Sequence, residues 1–175
     1  MDSNDTRNVT DEFKGQPIEV IKRALDSRGV KLEIAIENLE RDFNMGTIVR
    51  SANAFGVRVV HVIGRKQWNK RGAMATDKYL KVIYHTSIDD FILATAGRSL
   101  VAIDNVAGSL PLGQNTLPGD AVLIFGSEAH GISAELLDRC AQIVAIEQYG
   151  STRSLNVGVA AGIAMYEWLR QNHLT

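Results

Sequence analysis

The chain lacks the residues that small proteins use as staples. Its one cysteine, Cys140, excludes an internal disulfide, and four histidines without cysteine partners lack the spacing of a zinc site. A reducing compartment and no resident metal are expected. No stretch reaches the roughly 18 apolar residues of a membrane span. The polar segment from Met1 to Gln16 carries no apolar core of a secretory signal. A soluble, cytoplasmic protein without a membrane partner is the expectation. An excess of one charge is missing too. A formal net charge of -1 excludes a protein that coats nucleic acid by bulk charge, and leaves only a local basic patch to be sought.

Missing motifs narrow the chemistry further. There is no G-x-G-x-x-G after the first predicted strand and no G-x-x-x-x-G-K-[ST], so dinucleotide and P-loop readings have no specific support. The run Gly126-Ser127-Glu128-Ala129-His130-Gly131 is not the G-x-S-x-G of a nucleophile elbow. His130 is a candidate acid or base, although a lone loop histidine is more often a structural hydrogen-bonding group.

What is present is an alternation of strands and helices. With 175 residues, 45% of them hydrophobic, the chain can bury one good core. Residues 1–16 read as a flexible tail and 17–175 as a single domain. Pro17, Ile18, Ile21, Leu25 and Gly29 predict a first helix, and Leu32, Ile34 and Ile36 a strand with one face more buried. Glu37 to Phe43 reads as a polar turn, and Asn44 as the cap of a helix burying Ile48, Ala52 and Phe55. Further strands are predicted over Val57–Ile63, Lys81–His85, Leu100–Ile103, Ala121–Phe125 and Gln142–Ile146. Helices are predicted from Ser87, from Ser133 and over Leu155–Gln171, with Leu110–Asp120 as an irregular connection. The fold class is α/β, a mostly parallel sheet with helices on both faces. Ligands in such sheets bind outside the carboxyl ends of strands. Three loops fall there: Asp104–Gly108, Gly126–Gly131 and Glu147–Arg153.

One segment breaks the pattern. Between Gly64 and Lys81 stand six basic residues against one acid, Asp77, with Trp68 and Tyr79 among them. Arg65, Lys66, Trp68, Lys70 and Arg71 suit RNA phosphate contacts with base stacking. The same residues suit a solvated loop with a tucked tryptophan, and both readings stay open.

Three segments carry a resemblance. Asn44-Met45-Gly46-Thr47-Ile48-Val49-Arg50, then Phe125 to Gly131, then Gly150 with Ser154-Leu155-Asn156-Val157 resemble in order the three motifs of the SpoU/TrmH branch of the SPOUT superfamily. The likeness covers about residues 31 to 171. It implies an RNA ribose 2'-O-methyltransferase that uses S-adenosylmethionine. It also implies a deep trefoil knot at the carboxyl end and a homodimer packed through the knot. Gly158, Ala161 and Gly162 give the last helix a small-residue surface compatible with close packing.

By the same resemblance Arg50 is the catalytic arginine, as base or as phosphate clamp and stabiliser of the developing alkoxide. A guanidinium is protonated in almost any setting, so the clamp is the easier chemistry. Asn44 is expected to orient the ribose or Arg50, and Glu128 to fix the second loop or Arg50. Ser154 and Asn156 are expected to organise cofactor and substrate. Ile103, Gly126, Gly131, Ile146, Gln148, Ser154 and Leu155 form the implied cofactor site. Where many relatives read Ile-Pro-Met before the third motif, this chain has Ile146-Glu147-Gln148, which implies a more polar rim. The implied substrate is tRNA first and rRNA second, since the short tail leaves RNA to the catalytic domain. Two rivals are a non-catalytic RNA-binding module of the same fold and an α/β protein for another nucleotide.

Overall fold

The computed structural model describes residues 9–37, 42–64, 70–127 and 129–174, with the backbone alone at 42, 43, 70 and 71. Helix α1 (Ile18–Arg28) starts after Pro17, whose fixed φ suits a helix entrance, and stops at Gly29. Ahead of it, a turn at Asp11–Phe13 brings Glu12 into an ion pair with Arg28, whose guanidinium also lies 4.8 Å over the Phe13 ring.

Seven strands follow: β1 (Glu33–Glu37), β2 (Val59–Ile63), β3 (Lys81–His85), β4 (Ser99–Ile103), β5 (Leu110–Pro111), β6 (Ala121–Phe125) and β7 (Gln142–Ala145). They form one sheet in the order β3-β2-β1-β6-β4-β7-β5, and every pair is parallel. Helices α2 (Asp42–Ala54) and α5 (Val157–Asn172) cover one face, while α3 (Ile88–Ala94) and α4 (Ala134–Leu137) cover the other. On the first face Ile48, Val49 and Ala52 of α2 meet Ala161, Ala164, Met165 and Trp168 of α5 over the sheet. Fully buried side chains such as Ile48 and Met165 each stabilise the fold by roughly 1.5–3 kcal/mol. On the second, Phe91 and Leu136 pack over Ala35, Ala102, Val122 and Ile124.

The sheet order explains where sequence reading slipped. β1 lies between β2 and β6, so Ile34, Ala35 and Ile36 are all fully buried rather than half exposed. The expected polar turn does not begin at Glu37, which ends β1 and is 4% exposed. Asn44 is not a cap: it lies inside the first turns of α2, 5% exposed. The connection after β4 also hides β5, two residues paired to β7 at the sheet edge. Proline is tolerated at such an edge.

The crossings matter for the site. From β4 the chain runs out to the edge as β5 and returns to the middle as β6. It then comes back between β4 and β5 as β7. The carboxyl ends of β6, β4 and β7 therefore stand side by side. The last helix is held over them by the 115–118 loop: Trp168 Nε1 donates to the Pro118 carbonyl at 2.8 Å, and Gln171 accepts from Leu117 N at 2.7 Å.

Candidate active site

The three loops named from sequence meet around one cavity of about 680 Å³. At the strand ends it is lined by Ile103, Phe125 and Ile146 beside the polar Asp104, Asn105 and Ser127, with Leu155 from the third motif. Its helix wall is polar, built from Asn44, Ser154 and Asn156. Gly126, Gly131 and Gln148 also line it, so every residue of the expected cofactor set borders the same space.

The third motif forms the entrance to α5. Asn156 is the N-cap, and its Oδ1 accepts from Gly158 N at 2.9 Å and Val159 N at 3.3 Å, pairing two donors that a helix start leaves open. Its Nδ2 donates to Asn44 Oδ1 at 3.0 Å. One side chain thus closes a helix end and ties the third motif to the first. Ser154 does not share the capping role and stands exposed in the cavity wall. Gly158 lets the same junction pack closely, because a Cβ there would lie 3.1 Å from Thr47 Cγ2 of α2.

Arg50 stands six residues beyond Asn44 on α2, about 9 Å along the helix axis. It is exposed, outside the cavity lining, and makes no hydrogen bond or ion pair among the described residues. Gly46, between the two, permits a close approach. A Cβ there would fall 2.6 Å from Gly72 Cα and 2.7 Å from Ala73 N, so the turn Lys70–Ala73 packs directly on the arginine helix. Arg65, Lys66 and Trp68 lie outside the described residues, as do the side chains of Lys70 and Arg71. Just beyond, Met74 and Ala75 both adopt left-handed backbone, at φ 49° and 62°. That costs non-glycine residues energy and is found where surroundings hold the chain.

The second motif closes on itself. Ser127 and Gly131 exchange backbone hydrogen bonds at 2.9 Å in both directions, and Ser127 Oγ accepts from His130 N at 3.2 Å. Gly126 has no room for a side chain, since a Cβ would overlap the Gly131 and Ile132 backbone. Glu128 lies outside the described residues. His130 is exposed on the cavity rim.

Two supports escaped sequence reading. Asp104 accepts from Asn105 N at 2.8 Å and Ile132 N at 2.9 Å, and buried Glu37 accepts from Ser133 N at 2.8 Å. Each is an acid at the carboxyl end of an apolar strand, which is the only signal it offered. Glu147 differs from the expected polar rim. Its carboxylate turns onto the β5 side and accepts from Gly113 N at 3.1 Å, a hydrogen-bonded anchor where a proline would supply stiffness. Cys140 packs against the second core face, where burial pushes its thiol up to about 11. No group of three or more His, Cys, Asp or Glu converges among the described residues.

The cavity fits the cofactor that the motifs imply. It is large enough for a nucleoside with a short amino-acid arm, and its lining mixes apolar side chains with polar ones. Sheet, cavity and ordered motifs together define the SpoU/TrmH class of SPOUT RNA ribose 2'-O-methyltransferases, for which S-adenosylmethionine is the methyl donor. The chain belongs to the SpoU rRNA methylase family, whose model matches residues 31–166. It is 29% identical over 166 residues to a tRNA (guanosine(18)-2'-O)-methyltransferase of Borreliella burgdorferi, covering 92% of this chain and 74% of that protein. It superposes with a TM-score of 0.78 on the A. aeolicus TrmH/SpoU tRNA modifying enzyme, at 25% identity, covering 88% of this chain and 81% of that one. An AdoMet-bound rRNA methyltransferase of Sinorhizobium meliloti gives a TM-score of 0.73 at 27% identity, covering 79% and 56%. Against several mycobacterial relatives the chain spans about half their length, 51%.

Proposed function

We propose that this chain methylates a ribose 2'-hydroxyl of RNA, with tRNA as first substrate and rRNA as second, through residues 17–175 acting as one domain. The observation that carries the reading is the hydrogen bond from Asn156 to Asn44 at 3.0 Å. It joins the wall of the cofactor cavity to the helix that presents Arg50, so donor and acceptor sites share one rigid junction. S-adenosylmethionine supplies an electrophilic methyl when bound. The residues then have to align the hydroxyl and manage its charge, and alignment alone can contribute roughly 7–11 kcal/mol.

Arg50 is the group for the charge. Exposed and unpaired among the described residues, its guanidinium is available to clamp a phosphate and stabilise the alkoxide as the proton leaves. Asn44 orients α2 and the ribose, Ser154 and Asn156 hold the donor's polar end, and Glu128 fixes the second loop. Arg65, Lys66, Trp68, Lys70 and Arg71 grip RNA in this reading, which is supported by the backbone of Gly72 and Ala73, just after them in sequence, packing on Gly46 of the helix that carries Arg50.

The chain acts as a homodimer in this reading. Val159, Ile163 and Tyr166 lie on one face of α5, exposed by 52%, 40% and 53%, at the spacing of a helical stripe. The return of β7 between β4 and β5 supports the trefoil knot expected of the class. The test is transfer of labelled methyl to total RNA, followed by nucleoside analysis. Label in 2'-O-methylribose of tRNA is expected. Label on a base, or none in tRNA and rRNA alike, would sink the proposal.

A further inference from the structure

We propose that the loop after β7 grips the acceptor RNA: the Tyr149 ring stacks on a base at the methylated nucleotide, and the Arg153 guanidinium holds the adjoining phosphate. The inference rests on the function proposed above and deepens it. Tyr149 is 96% exposed, against 53% for Tyr166 and 39% for Tyr84. Tyr166 meets the Phe55 ring at 6.2 Å, whereas Tyr149 has no ring contact or hydrogen bond among the described residues. Residues 149–153 are all exposed, and a Cβ on Gly150 would meet nothing within 4 Å. A single exposed aromatic is ordinary on a protein surface. The setting of this one is not.

Gln148 and Arg153 line the cavity on either side of the exposed stretch, and Tyr149 itself lies outside the lining. Its ring is left for a group other than the donor. The loop is also held at its ends: Glu147 accepts from Gly113 N at 3.1 Å, Asn105 Nδ2 donates to the Arg153 carbonyl at 3.3 Å, and Asn156 caps α5. An ordered backbone loses little freedom on binding. The exposed Arg153 guanidinium makes no hydrogen bond or ion pair among the described residues. Asp104, the carboxylate that shares the cavity lining, is taken up by the amides of Asn105 and Ile132. Arg153 directly precedes Ser154, so a phosphate held there brings its ribose to the wall of Ser154 and Asn156. A 2'-hydroxyl enters a cavity only when its nucleotide leaves the stack, and the base then loses its neighbours. An aromatic face returns part of that loss for any base, and an arginine beside it clamps the phosphate. The two groups on one short loop are suited to an unstacked RNA strand.

The test measures methyl transfer by the full chain against the concentration of whichever RNA pool, tRNA or rRNA, takes label. Tyr149→Ala should raise the KM for that RNA by about 5- to 100-fold, the loss expected for one stacked base. Tyr149→Phe should stay near wild type, because stacking needs the ring and not the hydroxyl. Arg153→Ala should weaken RNA binding and reduce the slope of log affinity against log salt by about one. Calorimetry with S-adenosylhomocysteine should give wild-type affinity in all of these variants, which also shows them to be folded. An unchanged KM in both Tyr149→Ala and Arg153→Ala overturns the proposal. A loss in Tyr149→Ala that follows dissociation of a dimer in sedimentation also overturns it, by assigning the ring to a subunit contact. Reduced S-adenosylhomocysteine affinity in Arg153→Ala overturns the phosphate clamp, by assigning the guanidinium to the donor's carboxylate. A wild type that labels neither pool overturns the function on which the loop's role rests.

Discussion

Two polar regions of the sheet are built on opposite plans. At the carboxyl ends of β6, β4 and β7, polar side chains are left open to solvent: Ser154 is exposed in the cavity wall, and Arg50 on the neighbouring helix projects without a described partner. In the β1-β2-β3 half the polar groups form a closed chain. His61 Nε2 lies 2.9 Å from Glu33 Oε2, His61 Nδ1 lies 2.8 Å from His85 Nε2, and Arg98 lies 3.4 Å from the other Glu33 oxygen. Phe91 seals the two rings with edge contacts at 5.4 and 5.5 Å. Exposed polar groups at the first region are held by water and are ready for a ligand. Those at the second are paired, apart from Arg98 Nε among the described residues, and hold the fold. Substitutions in the open region should therefore move activity without stability, and those in the closed region the reverse.

The largest separation is expected at Arg50. Arg50→Ala should lower methyl transfer by about 10²–10³-fold or more, the usual consequence of removing a charge stabiliser, with the melting temperature and S-adenosylhomocysteine affinity nearly unchanged. Arg50→Lys should recover little, because an ammonium lacks the planar fork. A variant that keeps most activity removes both the clamp and the base role.

How much of this contrast could be read in the sequence depends on how far apart the partners lie. Gly126, Gly131 and the 154–157 run form local structures, so short motifs displayed them. Asn44 was visible as a motif residue but misplaced as a cap, since its partner Asn156 is 112 residues away. Nothing near Asp104 or Glu37 announces that they brace the second loop from neighbouring strands. β5 could not be seen because two residues with a proline carry no period. The Glu33–His61–His85 chain left no trace either: it needs the register that sets three parallel strands side by side.

A middle case is Gly46, which belongs to the site by position and to the core by packing. A Cβ there would meet backbone at 2.6 Å, and backbone cannot swing aside as a side-chain tip can. Gly46→Ala should cost about 1–3 kcal/mol of stability in denaturant unfolding. It should also weaken RNA binding, because the Lys70–Ala73 turn must shift. Loss of stability with RNA affinity intact would show that the basic segment does not depend on its seat on α2.

The smallest effect expected comes from the closed region, through pH. Burial, and then the neighbouring His61, hold the His85 imidazole below its ordinary value, against a weaker pull upward from Asp90. His61 can donate through Nε2–H to Glu33 and accept at Nδ1 from His85 Nε2–H; His85 keeps that donor whether charged or not, so burial rather than a lost hydrogen bond opposes its charge. The folded value lies below the unfolded one of about 6.5, so the unfolded state binds the proton first. This stability is complete above about pH 6.5 and is lost as pH falls through the folded value. Glu33 adds a second loss at lower pH. Burial opposes its ionisation, but the His61 hydrogen bond and the Arg98 charge outweigh burial and hold the carboxyl below its usual range. Urea midpoints should therefore decline between pH 7 and 5, and His85→Gln should flatten that first slope. If the slope survives the substitution, the buried pair is not its source, and the closed region titrates no differently from the surface.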